Sequence, residues 1–275
     1  GMEGVLQSRG KDFSGILNGI DPTLWDPSVD ANLAHTYHRG NITGKHVCKA
    51  DLQREVGLPV SADTPLIGYV SRLTHQKMAD IVADITPWIT EQNAQFVLVG
   101  EGEPAMQAAF LEAQERYPQN VSVYIGYGEP LAHRLQAGSD ILLAPARFEP
   151  CGLTQLYALR YGTVPVVRRT GGLADTVVDA TAENLNQRTA TGFVFEQPER
   201  AELIGALARA IDLYREPLGW RRLQTYAMAL DFSWDASAAR YIELYRDASG
   251  TPSLKVPSVA QIRAPQIEKT RQNIA

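Results

Sequence analysis

Cysteine is nearly absent from this 275-residue chain, which has only Cys48 and Cys151. Two cysteines build neither a disulfide framework nor a four-cysteine zinc site, and they suit a reduced, intracellular compartment. No run of about 18 apolar residues occurs, so a membrane-spanning helix is not expected. Positive charge is not in excess: 26 Lys+Arg stand against 31 Asp+Glu, a formal net charge of -5, which argues against a nucleic-acid partner. Gly1-Met2-Glu3-Gly4 has neither the basic start nor the apolar stretch of a signal peptide. No internal repeat shows at a period of about 20–50 residues. The Gly-x-Gly-x-x-Gly dinucleotide fingerprint is missing, since Gly100-Glu101-Gly102 lacks the third glycine; that counts against a nicotinamide or flavin enzyme. His75 and His133 have no partner at metal-ligand spacing, and His35 with His38 reads as a solvated pair, so no metal is expected.

What is present is ordinary for a globular protein: 44% hydrophobic and 21% charged residues, which excludes a disordered chain, collagen and a coiled coil. Residues 1–60 read as a lead-in, interdomain segment with a short helix from Lys45 to Val56. From residue 61 to 247 short apolar runs alternate with helical periodicity. The runs are Leu66–Val70, Phe96–Gly100, Val121–Ile125, Asp140–Ala144 and Val164–Val167, with Phe193–Phe195 as a sixth. Near-continuous apolar strands suit a parallel sheet covered on both faces, and their alternation with helices predicts an α/β, doubly wound, Rossmann-like sheet. Residues 199–246 predict further helices, the last N-capped by Ser233. Trp25, Trp88, Trp220 and Trp234 read as packing residues. The proline-containing tail, residues 248–275, is expected to be extended or disordered.

In a doubly wound sheet, ligands bind beyond the carboxyl ends of the strands, so the loops there are informative. After the first strand, Arg72 and Lys77 stand five residues apart where a helix begins. With free helix N–H groups they suit a phosphate or diphosphate, each charge-assisted hydrogen bond contributing about 1.5–3 kcal/mol. The competing reading is two solvated surface cations. After the fourth strand, Glu149 precedes Gly152-Leu153-Thr154 at a helix start. The carboxylate can accept from sugar hydroxyls while the helix start holds phosphate, or it can simply cap the helix. Cys151 reads as a structural thiol rather than a nucleophile. After the fifth strand, Gly171-Gly172 either cradles a phosphate or merely turns the chain.

Longer stretches carry a resemblance. Ser71-Arg72-Leu73-Thr74-His75-Gln76-Lys77, Arg147 through Tyr157, and Val166 through Thr176 resemble the C-terminal half of the bacterial glycogen synthase family, with which plant starch synthases share motifs. Gly15 through Asp21 and Asp231-Phe232-Ser233-Trp234 match as well, so the resemblance runs from residue 1 to about residue 247. It implies a retaining GT-B glycosyltransferase that moves glucose from ADP-glucose to the non-reducing end of an α-1,4-glucan, in the bacterial cytoplasm and without metal or cofactor. By the resemblance, Arg72 and Lys77 hold the diphosphate and stabilise the leaving group, and Glu149 contacts the donor glucose. The backbone of Gly152, Leu153 and Thr154 binds the distal phosphate, and Tyr127 lies beside the adenine.

Two departures stand out. Met78 occupies a position where the family usually has glycine. The family's N-terminal domain, with its Lys-x-Gly-Gly-Leu loop and acceptor surface, has no counterpart here. The chain is therefore expected to be one half of such an enzyme, binding donor but transferring little or nothing alone. A non-catalytic ADP- or glucan-binding module and a related transferase using UDP-glucose are the competing readings.

Overall fold

The computed structural model of the protein describes residues 2–250. In chain order the elements are α1 (Glu3–Ser8), α2 (Thr43–Glu55), β1 (Leu66–Val70), α3 (Ala79–Glu91), β2 (Gln95–Gly100), α4 (Pro104–Arg116) and β3 (Val121–Ile125). Then follow α5 (Glu129–Gly138), β4 (Ile141–Ala144), α6 (Thr154–Arg160), β5 (Val164–Arg168), α7 (Gly171–Thr176) and α8 (Ala182–Gln187). The last are β6 (Phe193–Phe195), α9 (Arg200–Tyr214), α10 (Pro217–Ala227) and α11 (Trp234–Ser249). The six strands form one sheet in the order β3-β2-β1-β4-β5-β6, every neighbouring pair parallel. This is the doubly wound arrangement expected from the apolar runs.

Because side chains alternate across a strand, an apolar run supplies both faces of the sheet. Ile67, Tyr69, Phe96, Leu98, Ile141, Leu143, Val164 and Val166 pack with residues of α3, α4, α9 and α10. Leu66, Val97, Val99 and Leu142 pack against Leu52 of α2, Leu135 of α5 and Ala158 of α6. Among the described residues no helix is long and apolar enough to cross a membrane.

Some local expectations change. Ser233 does sit at the start of α11, but its hydroxyl makes no capping bond. Asp231 orders the helix entry instead, accepting the Ser233 N–H at 2.8 Å. Trp25, Trp88 and Trp220 pack, whereas Trp234, the first residue of α11, is 47% exposed. The six-residue helices α1 and α8 had no apolar periodicity long enough to read. Beyond Gly250, the expected tail lies outside the described residues.

The lead-in segment is tied to the sheet by polar groups. The last carbonyls of α5 have no partner within their own helix. Lys45 of α2 donates to one of them, Ala137 O, at 2.9 Å, and to Thr163 Oγ1 at 2.6 Å. One turn on, Lys49 reaches Asp140 Oδ2 at 2.8 Å and the carbonyls of Ala62 and Thr64 at 2.9 and 2.6 Å. Two buried lysines thus dock a helix whose apolar face is narrow.

Burial pushes the Lys45 ammonium down to about 7, further lowered by Lys49 and opposed by Asp140 and Cys48. The folded value lies below the unfolded 10.5, so the unfolded chain binds more protons between those pH values, and stability rises with pH across that window. Lys45→Met removes the titrating group. Denaturant unfolding should show the stability difference moving in favour of wild type from pH 7 upward, by at most about 1.4 kcal/mol per pH unit. A difference that stays flat would contradict the assignment.

Candidate functional site

The strand order reverses between β1 and β4, and the loops leaving these two strands flank a crevice at the carboxyl end of the sheet. The chain stitches them together. Arg147 N donates to Gln76 O at 2.8 Å, and Gln76 Nε2 donates to Phe148 O at 3.1 Å. The Arg147 guanidinium reaches His75 O at 2.5 Å and grips both oxygens of Asp80 at 2.7 Å. The result is a pairing of Lys77 with Glu149 across the crevice, their side chains 22% and 12% exposed. A small cavity lies between them, walled also by Ser71, Thr154, Gln155 and Leu173. Arg72 is exposed at the rim, with Nη2 3.3 Å from Gln76 Oε1.

Backbone polar groups must find partners, so where they go identifies the loop's character. Between β4 and α6 the carbonyls of Ala146, Arg147, Phe148, Glu149, Cys151, Gly152 and Leu153 all accept hydrogen bonds from protein donors. By contrast, the N–H groups of Phe148, Glu149, Cys151, Gly152, Leu153 and Thr154 meet no acceptor among the described residues. In a trans peptide N–H and C=O point in opposite directions, so pinning the carbonyls inward turns the N–H groups outward. Gly152 is left-handed at φ +74° and Leu153 right-handed at φ -111°, the alternation that forms an anion-binding nest. A loop with most of its acceptors used and most of its donors free is electropositive without carrying a net charge.

Gly171 and Gly172 contribute through close approach. Gly172 N donates to Glu149 O at 3.1 Å. A Cβ on Gly171, which sits at φ +44°, would collide with the Glu149 carbonyl oxygen, and one on Gly172 would collide with that of Cys151. Larger residues would force the β4–α6 loop away from α7. The Gly172 N–H is committed to this loop, while that of Gly171 meets no acceptor among the described residues.

Met78 occupies the left-handed region at φ +55°, where glycine is the unstrained residue. Its side chain is fully buried in the main core. Losing a buried Met side chain typically costs about 2–5 kcal/mol, more than the about 1–2 kcal/mol of left-handed strain, so burial outweighs the strain. The lysine loop is tied to β1: Tyr69 Oη donates to Lys77 O at 3.0 Å.

Tyr127 follows β3 and is 69% exposed. Beside it stands Tyr157, whose hydroxyl is raised by burial and by Tyr127 and Glu129. Sequence reading missed the stack behind it: Trp25 lies between Tyr157 and His133, with ring centroids 3.6 and 3.7 Å apart. His133 is in turn held by Asp30 Oδ2 at 2.7 Å, which also accepts from Tyr161 Oη at 2.6 Å. These pairings span more than a hundred residues of chain and leave no local pattern. Arg147 and Gln155 were likewise missed as site residues. Both cysteines are free, and Cys151 is half-buried in the site loop. A second, larger groove of about 730 Å³ lies elsewhere, between residues 20–40 and 228–233.

Residues 55–222 match the family model described as glycosyl transferases group 1. The chain is 48% identical over 251 residues to the glycogen synthase of Serratia proteamaculans (strain 568), covering 90% of this chain and 53% of that protein. With the glycogen synthase of Edwardsiella ictaluri (strain 93-146) it shares 49% over 248 residues, 90% and 52% of the two chains. The chain spans about half the length of the curated relatives it matches. Among solved structures, the catalytic domain of starch synthase IV from Arabidopsis thaliana, bound to ADP and acarbose, aligns with a TM-score of 0.85 at 35% identity. That alignment covers 90% of this chain and 52% of that one. Sucrose-phosphate synthase from Thermosynechococcus elongatus aligns at 0.59 and 21% identity over 90% and 56%, a likeness of fold alone.

The Arg147–Asp80 clamp makes a testable contribution. Burial works to raise the Asp80 carboxyl, but the Arg147 guanidinium outweighs it and holds the group below its ordinary 3.8. That stability is complete above pH 3.8 and is lost as pH falls through the lower folded value. Arg147→Ala should cost about 1–2 kcal/mol at neutral pH, discounted for partial exposure. The gap to wild type should narrow below about pH 4 in denaturant unfolding; an unchanged gap would mean that the clamp does not carry it.

Proposed function

The chain belongs to the group 1 glycosyl transferases, and from that premise we propose that it is the donor-binding half of a glycogen synthase. The parent activity in this reading is retaining transfer of glucose from ADP-glucose to the non-reducing end of an α-1,4-glucan. Its sheet and helices have the GT-B glycosyltransferase fold. The observation that carries the reading is the Lys77–Glu149 pair beside a loop whose N–H groups are left without acceptors.

Each part has a role. The N–H groups of Gly152, Leu153 and Thr154 receive the distal phosphate of the donor. Arg72 and Lys77 neutralise the diphosphate as the bond to the sugar breaks, so the charge that develops on departing ADP meets fixed cations. Glu149, paired with Lys77 in the crevice, accepts from donor glucose hydroxyls. It is not assigned as a nucleophile. The exposed ring of Tyr127 lies against the adenine. The 35% identity to a starch synthase solved with ADP supports an adenine nucleotide over a uracil one.

Transfer also needs an acceptor held against the donor, and such positioning supplies about 7–11 kcal/mol of barrier lowering. In this reading the acceptor surface belongs to the other half of the enzyme. The exposed apolar side chains of α11 (Trp234, Tyr241, Ile242, Leu244 and Tyr245) are a surface on which that half docks.

The purified chain should bind ADP by calorimetry yet incorporate little or no labelled glucose from ADP-glucose into glycogen. Lys77→Ala should weaken ADP binding about tenfold or more, the value of one charge-assisted hydrogen bond, while Glu149→Ala should leave it within about twofold. Efficient glucan synthesis by this chain would refute the half-enzyme reading. Equal losses in the two variants would make Glu149 a structural rather than a sugar-binding group.

A further inference from the structure

We infer that Gln155 is a positioning residue that shapes the phosphate-binding loop. The inference rests on the donor-site reading above and adds a residue that touches neither donor nor acceptor in it. Gln155 is fully buried at the start of α6. Its Nε2 donates to Cys151 O at 3.1 Å and Gly152 O at 2.9 Å, and lies 3.3 Å from Thr176 Oγ1. Thr176 Oγ1 in turn donates to Gly172 O at 2.7 Å. One amide therefore gathers the β4–α6 loop and α7 at a single point.

The two carbonyls it holds belong to the peptides whose N–H groups are those of Gly152 and Leu153. Peptide planarity couples them: drawing C=O of residues 151 and 152 inward presents the two N–H groups to the crevice. Only a donor can do this. A flipped amide would set Oε1 against three oxygens, and a carboxylate would repel them. Gln155 Oε1 meets no hydrogen-bond partner among the described residues, so holding the amide in this orientation leaves a buried acceptor unpaired. Gln155 also lines the cavity between Lys77 and Glu149, so the unpaired oxygen belongs to a residue of the site itself.

A residue that shapes the nest should govern the second phosphate of the nucleotide and not the nucleoside. The test titrates wild type, Gln155→Met and Gln155→Glu with ADP and with AMP, with thermal unfolding as the folding control. Both variants should lose about tenfold or more in ADP affinity while AMP affinity stays within about twofold, collapsing the ADP-over-AMP preference. A general loss of structure would instead weaken both nucleotides together. Should both variants fail to fold, Thr176→Val, which removes the hydroxyl beside Gln155 Nε2, is expected to lower the same ratio. An unchanged ratio in the variants that fold overturns the inference and leaves the donor site standing. If wild type binds neither nucleotide, the donor-site reading falls and this one with it.

Discussion

Seven carbonyls between Ala146 and Leu153 are tied to five neighbours: Arg168, Gln76, Gly172, Gln155 and Tyr157. These donors come from the β1 loop, β5, α7 and α6, so the β4–α6 loop is fixed from every side except the crevice. Its free N–H groups and its glycine at positive φ go with that constraint. The same ties explain the glycines of α7, since the loop packs so closely there that a Cβ would strike its backbone. The charged residues act on this frame. Lys77 meets Glu149 where Arg147 and Gln76 tie the two loops together.

The sheet supplies the place. With strand order β3-β2-β1-β4-β5-β6, the connections from β1 and β4 depart to opposite faces and leave a gap at the carboxyl ends. A chain with this order gains a crevice without carving one from its core. The lead-in segment closes the far side through Trp25, Asp30 and the two buried lysines of α2. Tyr157 then connects that packing to the exposed Tyr127 after β3. The folding of residues 20–55 onto α5 and α6 is in this sense part of the support of the proposed nucleotide site.

Much of this was legible in the amino-acid order. The six strands announce themselves because a parallel sheet buried on both faces needs near-continuous apolar runs, and Leu66–Val70 and Phe96–Gly100 have them. Lys77 and Glu149 stand out because charge at a strand end is informative, although 72 residues separate them. Gln155 and Arg147 did not stand out. A glutamine in a helix start and an arginine in a loop are ordinary in isolation, and their meaning lies in which carbonyls and carboxylates they meet. The Asp30–His133 pair, 103 residues apart, is hidden for the same reason. Trp234 misled because large apolar residues usually pack, and here one is 47% exposed at the start of α11.

The account turns on where a nucleoside diphosphate sits. A crystal structure of this chain grown with ADP would decide it most directly. The account predicts the distal phosphate within hydrogen-bond reach of the Gly152 and Leu153 N–H groups and of Lys77 Nζ, with the base against Tyr127. ADP bound instead in the groove between residues 20–40 and 228–233, or anywhere that leaves those N–H groups untouched, would contradict it.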